Sequence, residues 1–259
     1  MACGDGAMAM SVEKHVLIVA GSDSSGGAGI ARDVETVSAF GLRSCLAVTA
    51  VTVQTHHAVE RVEQMPPDLI AAQMRAAFAA NAIVAVKIGM LGTVDAINAV
   101  ASVLASRPPL PVVLDPVLAS SSGRALLAAD AVACLKRKLM PLCSLVTPNL
   151  PELALLSGVS LTTNEGEIIH HARELAEAGG PALLVKGGHA DGDRSADLLV
   201  RIGRQPLPFE APRLDVQMRG TGCMLASAIA ARLGLGDDLE TAVARGKDHV
   251  FDKLSRARR

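Results

Sequence analysis

Residues His15–Gly29, HVLIVAGSDSSGGAG, join a short apolar run to a glycine-rich loop. The run His15–Ala20 predicts a buried strand because it is apolar and rich in β-branched residues. The loop Gly21–Gly29 opens a segment that predicts a helix ending near Phe40. A strand that leads through a short loop into a helix is the building unit of α/β proteins.

The same alternation continues toward the C-terminus. Further strands are predicted over 44–53, 83–88, 112–115, 145–147 and 182–185, and a hairpin over 197–202 and 205–210. Helices are predicted over 66–81, 94–105 and 126–139, as a pair ending near 178, and over 222–233 and 238–254. This order predicts an α/β fold in which helices cover both faces of a mostly parallel sheet. We expect one domain over 15–259, after an N-terminal extension at 1–14.

Composition excludes several classes of function. The chain has 259 residues and a net charge of −1, so no basic excess indicates a nucleic-acid or membrane partner. The five cysteines form no CxxC pair, which argues against a zinc site or a disulfide framework. The N-terminus lacks the features of a signal peptide, and no apolar run is long enough to span a bilayer, so a cytoplasmic location is expected.

The segment Arg219–Cys223, RGTGC, precedes an apolar helix and is the first candidate for chemistry. Gly220, Thr221 and Gly222 allow the backbone to approach a ligand, and the free N–H groups of a helix start bind anions. The same helix start would favour the thiolate of Cys223. The alternative is an ordinary helix start with a buried, unreactive cysteine.

Charged side chains follow three predicted strands, where ligands bind in such sheets. Asp115 follows VVL, and Glu152 lies three residues after Asn149 in TPNLPE. Two such carboxylates suggest a Mg²⁺–phosphate site, although Glu152 could instead serve only the first turn of a helix. Lys186 ends the strand ALLV before two glycines, where it could meet phosphate oxygens, although the glycines could equally form only a turn.

The loop Gly21–Gly29 matches neither GxGxxG nor GxxxxGK[ST], so it does not by itself indicate nucleotide binding. Asp33 could hydrogen-bond a ligand or complement the start of its helix, and Gln54 is a polar residue that closes an apolar strand. His56 and His57 are expected to be solvated. With four Phe and no Trp or Tyr, a base-like ligand must be held by aliphatic, Met and amide groups.

These segments together resemble the hydroxymethylpyrimidine/phosphomethylpyrimidine kinase family of the ribokinase-like superfamily. The resemblance covers roughly residues 15–250. It is carried, in order and spacing, by GSDSSGGAGIARD, Gln54, KIGML (Lys87–Leu91), DPV (Asp115–Val117), TPNLPE, VKGGH (Val185–His189) and GTGC.

The resemblance implies a three-layer α/β/α fold, Mg·ATP as cofactor and two successive phosphorylations, first of a hydroxymethyl group and then of the resulting phosphate, in thiamine biosynthesis. It also implies a homodimer. The implied roles are pyrimidine binding by Gly21, Asp33, Gln54, Met90 and Val117; metal binding by Asp115 and Glu152; ATP binding by Lys186 and Asn149; an anion hole at Gly220, Thr221 and Gly222; and a base position at Cys223.

The chain departs from the family pattern at four places. Ser24 stands in the usual Asp-Pro-Ser, Arg219 replaces a His, and a glycine-rich C-terminal tail is missing. A Lys that is common after DPV is replaced, at Ser121, within a loop expected to cover the phosphates, and Arg124 could supply that charge. The rival interpretations are a pyridoxal kinase, a non-catalytic ligand-binding regulator on the same fold, and a dinucleotide-binding oxidoreductase, which lacks its GxGxxG.

Overall fold

The computed structural model describes residues 13–118, 127, 129–187 and 193–258. Its strands are β1 (Lys14–Asp23), β2 (Arg43–Gln54), β3 (Val59–Gln64), β4 (Ala82–Ile88), β5 (Val112–Leu114), β6 (Leu145–Val146), β7 (Ala182–Lys186), β8 (Arg194–Val200) and β9 (Leu207–Pro212). Its helices are α1 (Gly29–Ala39), α2 (Pro67–Ala80), α3 (Val94–Ala105), α4 (Ala129–Cys134), α5 (Leu150–Ser157), α6 (Glu165–Glu177), α7 (Thr221–Gly234) and α8 (Leu239–Ala257).

All nine strands form one sheet in the order β3-β2-β1-β4-β5-β6-β7-β8-β9. Neighbouring strands from β2 to β7 pair in parallel, and β3, β8 and β9 pair antiparallel at the two edges. The predicted α/β fold with a mostly parallel sheet is therefore confirmed. Because the carboxyl ends of the parallel strands meet at one edge, the residues that follow them come together there.

Helices cover both faces of this sheet, which gives the three predicted layers. One core cluster packs α2, α3 and α6 against side chains such as Leu17, Val86 and Leu114. The other packs α7 and α8 against the alternate side chains, including Val16, Ala85 and Val113. Within the described ranges, no helix has the length and apolar character needed to cross a membrane.

Strands β1 and β3 differ from the sequence prediction. Strand β1 continues to Asp23, so Gly21 lies in a strand and not in a loop. Strand β3 was not predicted, because its sequence VERVEQ carries charge on an exposed edge strand and offers no apolar run. Its pairing with β2 extends the sheet beside Gln54.

Candidate active site

One cavity of about 1110 Å³ opens at the carboxyl ends of β1, β4, β5 and β7. Every residue that the sequence predicts for the site lines this cavity, with the exception of Asp33. The strand-end residues and the start of α7 are therefore brought together, as the parallel sheet requires. His56 and His57 also lie at its wall.

The predicted anion hole is the start of α7. Gly220 is the N-cap residue at φ +75°, and no side chain caps this helix. A Cβ at Gly220 would lie 2.5 Å from the backbone oxygen of Gly27, so only glycine fits both the conformation and the close approach. The N–H groups of the first turn are therefore available to an anion in the cavity.

Lys186, Asp115 and Glu152 form a charged cluster beside this helix start. The Lys186 Nζ lies 2.8 Å from Asp115 Oδ1 and 3.8 Å from Glu152 Oε2. A Cβ at Gly222 would lie 3.1 Å from the same Nζ, so α7 approaches the ammonium closely. Lys186 thus lies between the two carboxylates and the anion hole, where it could bind phosphate oxygens.

The two carboxylates have pKa values shifted in opposite directions. Burial alone would raise the pKa of Asp115, but the ammonium groups of Lys186 and Lys87 hold it below its usual value. Burial, together with the neighbouring Asp115, raises the pKa of Glu152 despite the attraction of Lys186. Asp115 is consequently the carboxylate that is held ionised.

The donor set suits a magnesium ion that also binds phosphate oxygens. Mg²⁺ usually takes one or two carboxylates together with substrate oxygens and water. Asp115 Oδ2 accepts no hydrogen bond from the described residues, and it faces the start of α7. The described part of the chain holds no group of three or more His, Cys, Asp or Glu side chains that could bind a metal without substrate.

Asn149 and Glu152 also form a capping box at the start of α5. The Asn149 side chain accepts from the Glu152 N–H at 2.8 Å, and Glu152 Oε2 accepts from the Asn149 N–H at 2.8 Å. The structural interpretation of Glu152 is therefore correct as far as it goes. The Leu118 N–H also hydrogen-bonds to the Glu152 carboxylate, which nevertheless lines the cavity, so the capping box does not exclude metal binding.

Part of the cavity wall is apolar. A Cβ at Gly21 would lie 2.8 Å from the Met90 methyl group, so glycine leaves the space that the methionine borders. Thr49 Oγ1 donates to the Met90 backbone oxygen at 2.6 Å and fixes this turn. Val117 has φ +37°, which is strained for a β-branched residue, and it lines the same cavity.

Gln54 is held in place by Ser24, the residue that replaces proline in the family pattern. The Ser24 hydroxyl donates to the Gln54 backbone oxygen at 2.9 Å and accepts from its N–H at 2.8 Å. Thr52 Oγ1 lies 3.2 Å from Gln54 Oε1. Proline has no hydroxyl, so this fastening of the end of β2 depends on the serine.

Arg219, the second departure, ties three segments together above the cavity. Its Nη1 donates to Ser25 Oγ at 2.9 Å and to the Thr55 backbone oxygen at 3.0 Å, and its Nη2 lies 3.2 Å from Asp23 Oδ2. The residue before the anion hole is thereby fixed to the ends of β1 and β2.

Lys87 and Asp33, which we call the floor pair, lie beneath the cavity. Lys87 Nζ donates to Asp33 Oδ2 at 2.8 Å, and both side chains are fully buried. Ser227 Oγ donates to Asp33 Oδ1 at 2.8 Å, so both carboxylate oxygens have partners. Direct contact between Asp33 and a pyrimidine stays a prediction, and the burial of the carboxylate favours a role through Lys87.

Lys247 and Asp197, which we call the brace pair, lie near Lys186. Lys247 Nζ donates to Asp197 Oδ2 at 2.6 Å, and Asp197 Oδ1 accepts from the Gly187 N–H at 3.0 Å. Both residues line the cavity.

The sequence interpretation missed both pairs apart from Asp33. A lysine within the apolar strand AIVAVKI was the one signal available, because a buried ammonium requires a partner.

Cys223 lies in the first turn of α7 at the cavity wall. Burial raises the pKa of its thiol to about 11, against the opposing effect of the Lys87 ammonium. In the protein without substrate, the side chain is therefore a thiol at neutral pH. The expected low-pKa thiolate is not what this environment produces.

Some predicted features lie outside the described residues. They are the N-terminal extension up to residue 12, the expected cover over the phosphates beyond Leu118, with Ser121 and Arg124, and the glycine and histidine at 188 and 189.

Comparison with known proteins identifies the protein family. The sequence matches the family described as "Phosphomethylpyrimidine kinase" over residues 23–259. The chain belongs to the phosphomethylpyrimidine kinase family. It is 41% identical over 244 residues to a hydroxymethylpyrimidine/phosphomethylpyrimidine kinase of Rhizobium meliloti, covering 94% of this chain and 91% of the relative.

Solved structures of family members and related kinases have the same fold. A phosphomethylpyrimidine kinase from Clostridium difficile 630 superposes with a TM-score of 0.81 at 33% identity, covering 93% of this chain and 99% of that one. The Staphylococcus aureus pyridoxal kinase in complex with AMP-PCP and pyridoxal superposes with a TM-score of 0.84 at 28% identity, covering 94% and 88%. The ribokinase-like fold is confirmed.

Proposed function

We propose that the protein transfers the γ-phosphoryl group of ATP to 4-amino-5-hydroxymethyl-2-methylpyrimidine and then to its monophosphate, in thiamine biosynthesis. The observation that supports this proposal is one cavity that brings together apolar residues, an amide, a lysine, two carboxylates and an uncapped helix start. The relatives named for this activity support the choice of substrate.

The pyrimidine binds at the wall of Gly21, Gln54, Met90 and Val117. Gly21 lets the Met90 methyl group pack closely against the strand backbone, and this methyl group supplies an apolar contact without an aromatic side chain. The Gln54 amide can both donate to and accept from the nitrogen edge of the ring. Its backbone is fixed by Ser24, so the amide needs little further ordering when substrate binds.

The triphosphate binds at the charged cluster. Lys186 and the N–H groups at Gly220–Gly222 meet its oxygens, and Asn149 lies beside them. Asp115 and Glu152 would hold Mg²⁺, which when bound neutralises charge on the phosphates. Phosphoryl transfer depends mainly on positioning and charge neutralisation, and this cluster supplies both.

Cys223 stands where the acceptor hydroxyl would lie. As a thiol it orients that hydroxyl by hydrogen bonding, and as a thiolate it accepts the hydroxyl proton. Since burial raises the pKa of Cys223, the thiolate form is scarce at neutral pH until the charges around it change. We therefore assign proton acceptance to a late stage of transfer.

The proposal is tested by ADP release with purified protein, Mg²⁺ and ATP, and one acceptor at a time. The acceptors are the hydroxymethylpyrimidine, its monophosphate and pyridoxal, with a reaction lacking acceptor as control. We expect release with both pyrimidines and little with pyridoxal. Release at the level of the control with both pyrimidines would refute the proposal.

Pyridoxal kinase activity is the second candidate. The Staphylococcus aureus pyridoxal kinase shares the fold over 94% of this chain, and a cavity built on apolar and amide contacts could take either ring. A higher kcat/KM for pyridoxal than for the hydroxymethylpyrimidine would favour this candidate. A non-catalytic regulator is disfavoured because Asp115, Lys186 and the helix start before Cys223 lie together in one cavity.

We also propose a cytoplasmic homodimer. Leu46, Val51 and Val53 expose their side chains along β2, near the edge of the sheet, and a second copy could cover them. Light scattering of the purified protein would test this. A mass of one chain at micromolar concentration would contradict it.

A further inference from the structure

Lys87 is a charged residue in a buried strand whose ammonium ends directly beneath the cavity. The residue is completely buried. Its side chain reaches past Gly89, where an added Cβ would lie 2.9 Å from Nζ, and past Ala20, whose methyl group borders the same space. Lys87, Gly89 and Cys223 all line the cavity, so the absent side chain at Gly89 leaves the ammonium room to reach its floor.

The floor pair is oriented with its positive end toward the cavity. Lys87 lines the cavity, whereas Asp33 does not and lies behind the ammonium on α1. Both Asp33 oxygens are occupied, by Lys87 and Ser227. Lys87 has three N–H donors, and within the described residues it gives one recorded hydrogen bond, to Asp33. The pair is neutral as a whole, but its field at the cavity floor is that of a nearby cation.

Phosphoryl transfer to a hydroxyl group, the proposed function, creates negative charge at the acceptor oxygen that must be stabilised. The Cys223 thiol first releases its proton to solvent, and in the transfer step the hydroxyl O–H bond breaks and its proton moves to the resulting thiolate. The oxygen forms a bond to the γ-phosphorus, whose bond to the bridging oxygen breaks, and the electron pair leaves with ADP. Negative charge thus passes between sulfur and oxygen next to the cavity floor.

We propose that Lys87 is a positioning residue for this step: a permanent cation, held by Asp33, that stabilises negative charge on the Cys223 sulfur and on the adjacent acceptor oxygen. The proposal rests on the proposed function for the identity of the acceptor. It assigns to Asp33 the role of holding Lys87 and not of binding the pyrimidine.

The charges around Cys223 agree with this assignment. Four charged groups act on it: Lys87 from β4, Asp33 from α1, Asp115 after β5 and Lys186 at the end of β7. Against burial, Lys87 lowers the pKa of Cys223, while the two carboxylates raise it and the Gly29 N–H lowers it. Although burial alone would lower the pKa of Lys87, Asp33 and its other anionic neighbours raise it, so Lys87 keeps its charge at neutral pH.

Two variants separate a charge effect from a packing effect, because they are expected to shift the pKa of Cys223 in opposite directions. Asp33→Asn removes the counter-charge of Lys87, whose ammonium is still favoured by Asp115 and Cys223, so the thiolate should become easier to form. Lys87→Met combined with Asp33→Asn removes both charges, so the thiolate should become harder to form. Lys253→Met, on the exposed part of α8, is the matched control for loss of a lysine.

The first measurement needs no substrate. The rate of iodoacetamide alkylation of Cys223 is followed against pH in the full-length protein by mass spectrometry of the Cys223 peptide. We expect the pH at which the alkylation rate is half-maximal to fall in Asp33→Asn, to rise in the double variant and to stay unchanged in Lys253→Met. If Asp33→Asn does not fold, the double variant alone decides. A midpoint in the double variant equal to that of the wild type would overturn the proposal.

The second measurement is steady-state phosphorylation of the hydroxymethylpyrimidine. The double variant should lose about tenfold or more in kcat, since it lacks a charge that acts on the transition state, while its KM for ATP stays near that of wild type. A raised KM for ATP with unchanged kcat would also overturn the proposal. If the wild type itself fails to turn over, the proposed function fails, and the alkylation result still decides the role of Lys87.

Discussion

Two buried lysine–aspartate pairs lie beside the cavity, and they differ in the hydrogen-bond donor to the second carboxylate oxygen. In the floor pair both side chains are fully buried, and the second Asp33 oxygen accepts from the Ser227 hydroxyl. In the brace pair the side chains keep 10% and 8% exposure, and the second Asp197 oxygen accepts from the Gly187 N–H. Asp33 holds the Lys87 ammonium in place, whereas Asp197 also fixes the backbone at Gly187.

The backbone held by the brace pair carries Lys186. Lys186 and Asp197 are register partners across β7 and β8, and a Cβ at Gly187 would lie 2.0 Å from the Ala196 oxygen. The turn after Lys186 is therefore pressed against β8 and fastened to α8 through Lys247. Similar ion pairs thus serve the site in two ways: the floor pair places a positive charge near the acceptor, and the brace pair fixes the backbone that carries the phosphate-binding lysine.

Removing the counter-charge of the floor pair should cost the most stability. Asp33→Asn leaves a fully buried ammonium without its carboxylate, a change that costs about 3–5 kcal/mol. We expect a loss of this size in the free energy of unfolding, measured by urea denaturation. The double variant with Lys87→Met should recover part of it. A loss of under about 1 kcal/mol in the single variant would mean that the pair does not depend on its charge in the way described.

Breaking the brace pair should cost less. Lys247→Met leaves Asp197 with the Gly187 N–H as a remaining partner, and the pair has slight access to solvent. We expect a loss of about 1–3 kcal/mol, the range for a buried polar group deprived of one partner. Urea denaturation beside the wild type measures it. A loss equal to that of Asp33→Asn would remove the distinction between the two pairs.

The exposed ion pair between Lys253 and Glu35 should contribute least to stability. Lys253 Nζ lies 2.9 Å from Glu35 Oε1, with side chains 30% and 47% exposed. The pKa of Glu35 is lowered, chiefly by this lysine, but exposed pairs contribute only about 0–1 kcal/mol. Lys253→Met should therefore leave the midpoint of urea unfolding nearly unchanged. A large shift would show that the helix α8 depends on surface charge.

Much of the site could be predicted from sequence because strand-end positions are local. Asp115, Lys186 and Cys223 each follow or precede a recognisable element, and the parallel sheet brings such positions together. The two pairs could not be predicted in this way. Asp33 and Lys87 are 54 residues apart, and Asp197 and Lys247 are 50 apart, so their contacts depend on how helices pack on the sheet.

The same reasoning explains the two errors of local structure and chemistry. Strand β3 is stabilised by pairing with β2 and not by its own apolar residues. A low pKa for Cys223 was expected from its position at a helix start, but burial in the assembled site outweighs that position and raises the pKa. Both outcomes depend on neighbours that are distant in the sequence.

The most direct test of this account is two-substrate kinetics of Lys247→Met, with ATP and the hydroxymethylpyrimidine varied independently. If the brace pair serves the phosphates by geometry, the KM for ATP should rise by about tenfold, as expected for the loss of roughly 1.4 kcal/mol of binding, while the KM for the pyrimidine stays within about twofold. A raised KM for the pyrimidine with an unchanged KM for ATP would contradict the division of the cavity into an acceptor side over Lys87 and a phosphate side at Lys186.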